Sequence, residues 1–144
     1  MKLYVIAVGK IKKAWIQTGI QELSKRLPEL VMLEVKDSNP EKEAADIDLR
    51  LRSSIPQHYQ LLVLSEEGAL MTSVEFAALL REHQSQPLVF AVGGPDGVAN
   101  SLKQQALKLV SLSPMTFPHE LARLLLIEQL YRAKTILQNG SYHR

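Results

Sequence analysis

The side chains of this 144-residue chain best suited to chemistry gather toward its C-terminus. His119 and Arg123 stand four apart near the start of a long helical segment, so they share one helix face. A histidine at a helix N-terminus has its charged form disfavoured by the dipole, which keeps it neutral and able to accept a proton. His119 is therefore a candidate base; the plainer alternative is a histidine that packs or caps there. The chain ends Tyr142-His143-Arg144. If ordered, this tail brings a phenol, an imidazole and a guanidinium to one place; if it frays like most chain ends, it is inert. Glu128 and Arg132, acid first at i and i+4, read as a surface helix pair.

A second concentration of signal is Leu88-Val89-Phe90-Ala91-Val92 running into Gly93-Gly94-Pro95-Asp96-Gly97. The apolar half suits a strand covered on both faces of a parallel sheet. The glycine half permits close approach of another molecule to the backbone, while Pro95 fixes its own φ and donates no hydrogen bond. A loop of this kind after a parallel strand is where open α/β sheets place ligands, although a tight turn with no ligand fits the same residues. Two further loops follow strands: 64–68, and 111–119 with its Ser-Leu-Ser-Pro-Met-Thr-Phe-Pro-His run. In a parallel sheet the three converge on one edge, and the last suits a flat heteroaromatic ring held by backbone groups.

Several site types are excluded. The glycine loop lacks the Lys-Ser/Thr of a P-loop and does not fit the G-x-G-x-x-G dinucleotide pattern. His58, His83, His119 and His143 have no metal-ligand spacing, no serine elbow occurs, and no cysteine is present, so no metal is expected. His58 and His83 read as surface residues.

The elements that must position these groups follow from apolar periodicity. Strands are expected over 1–8, 30–35, 60–65, 88–92 and 108–113, and helices over 14–27, 41–54, 72–83, from about 98, and 118–137. Thr72 with Glu75 has the spacing of a capping box. Strict alternation predicts one α/β domain over residues 1–144, a mostly parallel sheet flanked by helices. The final helix is apolar on more than one face at Leu124-Leu125-Leu126-Ile127, which asks for cover on several sides; a second subunit is one such cover, giving a homodimer.

A hydrophobic share of 46% without a run long enough for a membrane span, and the absence of cysteine, fit a soluble cytoplasmic protein. The net charge is only +2, yet residues 1–36 hold seven basic against three acidic side chains, whereas 37–114 hold six against ten. Such asymmetry can mark a nucleic-acid face, or be an accident of a solvated surface.

Taken together, Met1 to Leu3 through Val8-Gly9-Lys10, the Gly93–Gly97 loop, Ser113-Pro114-Met115-Thr116-Phe117-Pro118-His119, Arg123, 126–133 and the terminal Tyr142-His143-Arg144 resemble the ribosomal large subunit methyltransferase H family across the whole chain. The resemblance implies a SPOUT-class fold with a C-terminal trefoil knot, a homodimer, and S-adenosylmethionine as donor. It implies methylation of N3 of a pseudouridine in the intersubunit stem-loop of 23S rRNA on assembled ribosomes. Carried over by position, the cofactor contacts are Leu64, Gly93, Leu112, Ser113, Pro114, Met115, Thr116 and Phe117. His119, Tyr142 and His143 are then possible bases or orienters, with Arg123, Arg132 and Arg144 as charge stabilisers. Ala69 departs from the family pattern, which carries a lysine there. A non-catalytic ribosome-binding relative and an adenine-nucleotide-binding protein are the alternatives.

Overall fold

The five runs expected as strands are strands, and Leu124–Ile127 lies in a helix. The computed structural model describes residues 1–144 as β1 (Leu3–Val8), α1 (Ala14–Lys25), β2 (Leu30–Val35), α2 (Pro40–Ser54), β3 (Gln60–Leu70), α3 (Ser73–Glu82), β4 (Leu88–Val92), α4 (Asn100–Gln105), β5 (Lys108–Ser111) and α5 (His119–Leu137). The five strands form one parallel sheet in the order β2-β1-β4-β3-β5.

The period of two along each strand divides the core in two. Leu3, Val5 and Ala7 face a layer built from α1, α3 and α5, where Ile16, Phe76, Leu126 and Leu130 are buried. Tyr4, Ile6 and Val8 face α2 and α4, where Ile47, Leu51 and Leu102 are buried. β1 and β4 carry no exposed residue, as strands covered on both faces must. No helix is long and apolar enough to cross a membrane.

Besides two-residue shifts at the start of β1 and the end of α1, three boundaries differ from the sequence expectation. β3 continues to Leu70 because 65–68 is a bulge within the strand: Leu64 and Ala69 both pair with Val110. Gly68 allows this closure, since a Cβ there would lie 2.6 Å from the backbone of Leu109 and Val110. α4 is only one and a half turns or so and ends at Gln105; Ala106 and, on β5, Leu109 pack against the core shared by the sheet, α2 and α4. β5 stops at Ser111, where hydroxyls take over from the ladder: Ser111 Oγ donates to Ser113 O at 3.0 Å, and Ser113 Oγ accepts from Met115 N–H at 3.0 Å.

The capping box on α3 is present in both directions, Thr72 Oγ1 accepting from Glu75 N–H and Glu75 accepting from Thr72 N–H. α5 has no side-chain cap at Pro118. Its first turn is anchored by Glu120, whose buried carboxylate accepts from Lys12 N–H at 2.9 Å and Lys13 N–H at 3.1 Å. Those backbone donors hold Glu120 below the ordinary carboxylate range.

Candidate active site

Because all five strands run the same way, the loops after β1, β3, β4 and β5 emerge at one edge of the sheet. Three of them enclose a cavity of about 310 Å³. Leu64, Ser65 and Glu67 come from the β3 bulge, Gly93, Gly94 and Gly97 from the loop after β4, and Leu112, Ser113, Met115 and Phe117 from the loop after β5. Pro114 and Thr116 are exposed and do not line it. Ala122 and His119, on the first turn of α5, close the remaining side.

The glycine loop is shaped by its own backbone. Gly97 N–H donates to Gly94 O at 3.0 Å, and Gly97 takes a φ of +81°, which glycine adopts without cost. A Cβ on Gly93 would lie 2.7 Å from Val98 Cγ2 and 2.9 Å from Gly97 O. Gly93 is thus required by the fold of the loop as well as by its place on the cavity wall.

One pair at the rim was not legible in the sequence. Lys103 on α4 donates to Glu67, and both side chains line the cavity. The ammonium holds the Glu67 carboxyl below its ordinary range. Thirty-six residues separate the partners, so no local spacing could reveal them.

The remaining candidates lie elsewhere. Arg123 is 5% exposed and spends its guanidinium on its own subunit: Nη1 donates to Glu34 Oε2 at 2.7 Å, and Nη2 to Gly9 O at 2.9 Å and Val8 O at 3.3 Å. It does not line the cavity. Although it shares a helix with His119, its hydrogen bonds tie α5 to the end of β1.

Tyr142, His143 and Arg144 do not line the cavity either. α5 ends in a reversal, with Asn139 at a φ of 57° and Gly140 N–H donating to Thr135 O at 2.7 Å, so the tail folds back along the helix. Tyr142 then donates to Glu128 Oε2 at 2.7 Å, and Arg132 Nη1 lies 3.1 Å from His143 Nδ1. The Glu128 hydrogen bond, then burial, hold the Tyr142 phenol above its ordinary value, and the same carboxylate raises Arg132. The Glu128–Arg132 pair, expected on the surface, is instead the seat of the tail. At 1.5 Å per residue, Glu128 and Arg132 lie roughly 14 and 20 Å along α5 from His119.

The arrangement offers a small-molecule cavity of mixed apolar and polar lining, with Glu66, Glu67 and Lys103 as its charged groups and a histidine on its wall. The family model described as predicted SPOUT methyltransferase matches residues 1–143. The ribosomal RNA large subunit methyltransferase H of Synechococcus sp. (strain CC9311) is 51% identical over 140 residues, covering 97% of this chain and 94% of that protein. Its counterpart from Prochlorococcus marinus (strain MIT 9303) is 52% identical over 140 residues, covering 97% and 91%. Among solved structures, the SpoU methyltransferase AviRb of Streptomyces viridochromogenes, in complex with AdoMet, aligns over 97% of this chain with a TM-score of 0.54. At 14% identity that likeness concerns the fold, and this chain spans 59% of the length of that one. With a family model matched end to end and half of its residues shared with these relatives, the chain belongs to the SPOUT methyltransferases, in the ribosomal RNA large subunit methyltransferase H family.

Proposed function

We propose that this protein transfers a methyl group from S-adenosylmethionine to N3 of a pseudouridine in the intersubunit stem-loop of 23S rRNA, on assembled ribosomes in the cytoplasm. The observation that carries the reading is the single cavity that joins Leu64, Gly93, Leu112, Ser113, Met115 and Phe117 to His119. Its residues fit the donor: Leu112 and Phe117 offer an apolar slot for adenine, the glycine backbone admits a ribose, and Lys103 with Glu67 offers opposite charges to a zwitterionic amino-acid end. When bound, the donor supplies an electrophilic methyl group on a positively charged sulfur.

The chain's own task is to prepare the acceptor. N3 of the base carries a weakly acidic imide proton, and His119, which lines the cavity, is the base assigned to it in this reading. The N3 lone pair then forms the new bond to carbon as the carbon–sulfur bond breaks, its electrons returning to sulfur. Arg144 and Arg132 are suited to the negative charge that develops on the pyrimidine carbonyls or to a flanking phosphate. Tyr142, whose single O–H is donated to Glu128, orders the tail rather than acting as a base.

Within one subunit the tail and His119 are too far apart to serve one base. A homodimer resolves the separation if the tail of a second copy reaches the cavity, and the half-buried Leu121, Leu124 and Leu125 on α5 give such a contact apolar area. A C-terminal trefoil knot, as membership of the family implies, belongs to the same reading.

Calorimetry with S-adenosylmethionine, ATP and NAD tests the cavity, and methyl transfer from labelled donor to unmodified ribosomes tests the reaction. Binding of S-adenosylmethionine alone with label on 23S rRNA is the expected result. A preference for either nucleotide overturns the donor assignment, and donor binding without label on ribosomes, subunits or free rRNA favours a non-catalytic ribosome-binding relative.

A further inference from the structure

The loop after β1 emerges at the same edge as the three loops that enclose the cavity, yet contributes nothing to its lining. It carries Lys10, Lys12 and Lys13, all exposed, and none of the three forms an ion pair. Two residues on, in the first turn of α1, Trp15 is 62% exposed, although tryptophan is a residue that folding usually covers. This loop is not free to wander. The Glu120 carboxylate accepts from the backbone of Lys12 and Lys13, one residue from His119, so the main chain is anchored while both lysines stay exposed.

We infer that Lys10, Lys12, Lys13 and Trp15 form a grip for the single-stranded RNA that flanks the target nucleotide, the lysines on its phosphates and the indole stacked on an unpaired base. The inference rests on the RNA-methyltransferase reading above and names a part of its substrate surface. Unpaired cations beside an apolar ring match what a single strand presents, a row of phosphates with splayed bases. Charge complementarity favours RNA over a second copy of this face, which would set its own lysines against like charge. The position also agrees: β1 lies beside β4, so the loop sits immediately alongside the glycine loop, on the flank away from β3.

The chain has one tryptophan, so its fluorescence reports this residue alone. The experiment titrates the full-length protein, without donor, with a short oligouridylate and separately with inorganic polyphosphate. Quenching by the oligonucleotide but not by polyphosphate is expected. Replacing the three lysines with glutamine should flatten the slope of log affinity against log salt by about 2. Trp15→Ala should weaken RNA binding, read by anisotropy of labelled oligonucleotide, by about 5- to 100-fold, with Trp15→Phe recovering much of the loss. Donor affinity should be the same in every variant.

Equal quenching by polyphosphate overturns the stacking. A signal that follows protein concentration and ignores RNA assigns the face to a second copy and overturns the inference, as does no signal at all. Because the quenching needs no turnover, its absence in an enzyme that still methylates rRNA removes this surface only. Quenching in a protein that methylates nothing removes the enzymatic reading only.

Discussion

The phenol of Tyr142 donates to Oε2 of Glu128 at 2.7 Å, fourteen residues back along the chain, so the terminal tail is docked on α5. The same carboxylate accepts from Arg132 Nη2 at 2.8 Å, and Arg132 reaches His143 Nδ1 in turn. The Tyr142 ring meets Tyr131 edge-on at 4.8 Å, with the Arg132 guanidinium 4.7 Å from its centroid. One carboxylate thus orders a phenol, a guanidinium and an imidazole.

Glu128→Gln should therefore release the tail. The Tyr142 phenol should titrate closer to its ordinary value of 10.0, read by NMR on ring-labelled tyrosine. Methyl transfer should fall while donor affinity holds. The sign in the parent protein follows from the raised phenol: the docking is fully present below pH 10.0 and is lost as pH rises through the folded value. Unchanged turnover in Glu128→Gln would show that the docked tail has no part in the reaction.

Glu120 sets the opposite limb. Its carboxyl is held below its ordinary value of 4.5, so its contribution to stability is present above that value and is lost as pH falls through the folded one. Thermal unfolding of Glu120→Gln at acid pH should show a shallower decline than the parent. Parallel curves would mean that the bonds to Lys12 and Lys13 contribute little to stability.

Arg123→Met should cost about 2–4 kcal/mol in denaturant unfolding, because it leaves the carbonyls of Val8 and Gly9 without their donor. Folded protein at low temperature should keep most of its turnover. Full stability with turnover abolished would place this guanidinium on the substrate instead.

The glycine loop separates two kinds of requirement. Gly93→Ala forces a methyl group against Val98 and Gly97 and should weaken donor binding by about tenfold or more, as overpacking of 1–3 kcal/mol predicts. Gly97→Ala meets nothing within 4 Å, and its cost is the left-handed φ alone, about 1–2 kcal/mol. Calorimetry on both variants checks the contrast; equal donor affinity would remove Gly93 from the site.

The order of elements was legible because continuous apolar runs such as Leu88–Val92 have no other stable place than a sheet covered on both faces. The three cavity loops were legible for a related reason, since parallel strands deliver their loops to one edge. What stayed hidden joins residues far apart in sequence. Glu120 to Lys12 spans 108 residues, Arg123 to Gly9 spans 114, and neither has a local pattern. The β3 bulge depends on how closely Gly68 approaches β5, which is a property of packing. The docking of Tyr142 on Glu128 required the reversal at Asn139 and Gly140, which an Asn-Gly pair permits without dictating.

The most direct test of the account is the fate of the methyl group. Ribosomes lacking the modification are incubated with protein and isotopically labelled S-adenosylmethionine, and the 23S rRNA is digested to nucleosides for mass spectrometry. The account predicts label in N3-methylpseudouridine from the intersubunit stem-loop, lost in His119→Ala with donor binding retained. Label in any other nucleoside, or none in an enzyme that binds the donor, would contradict it.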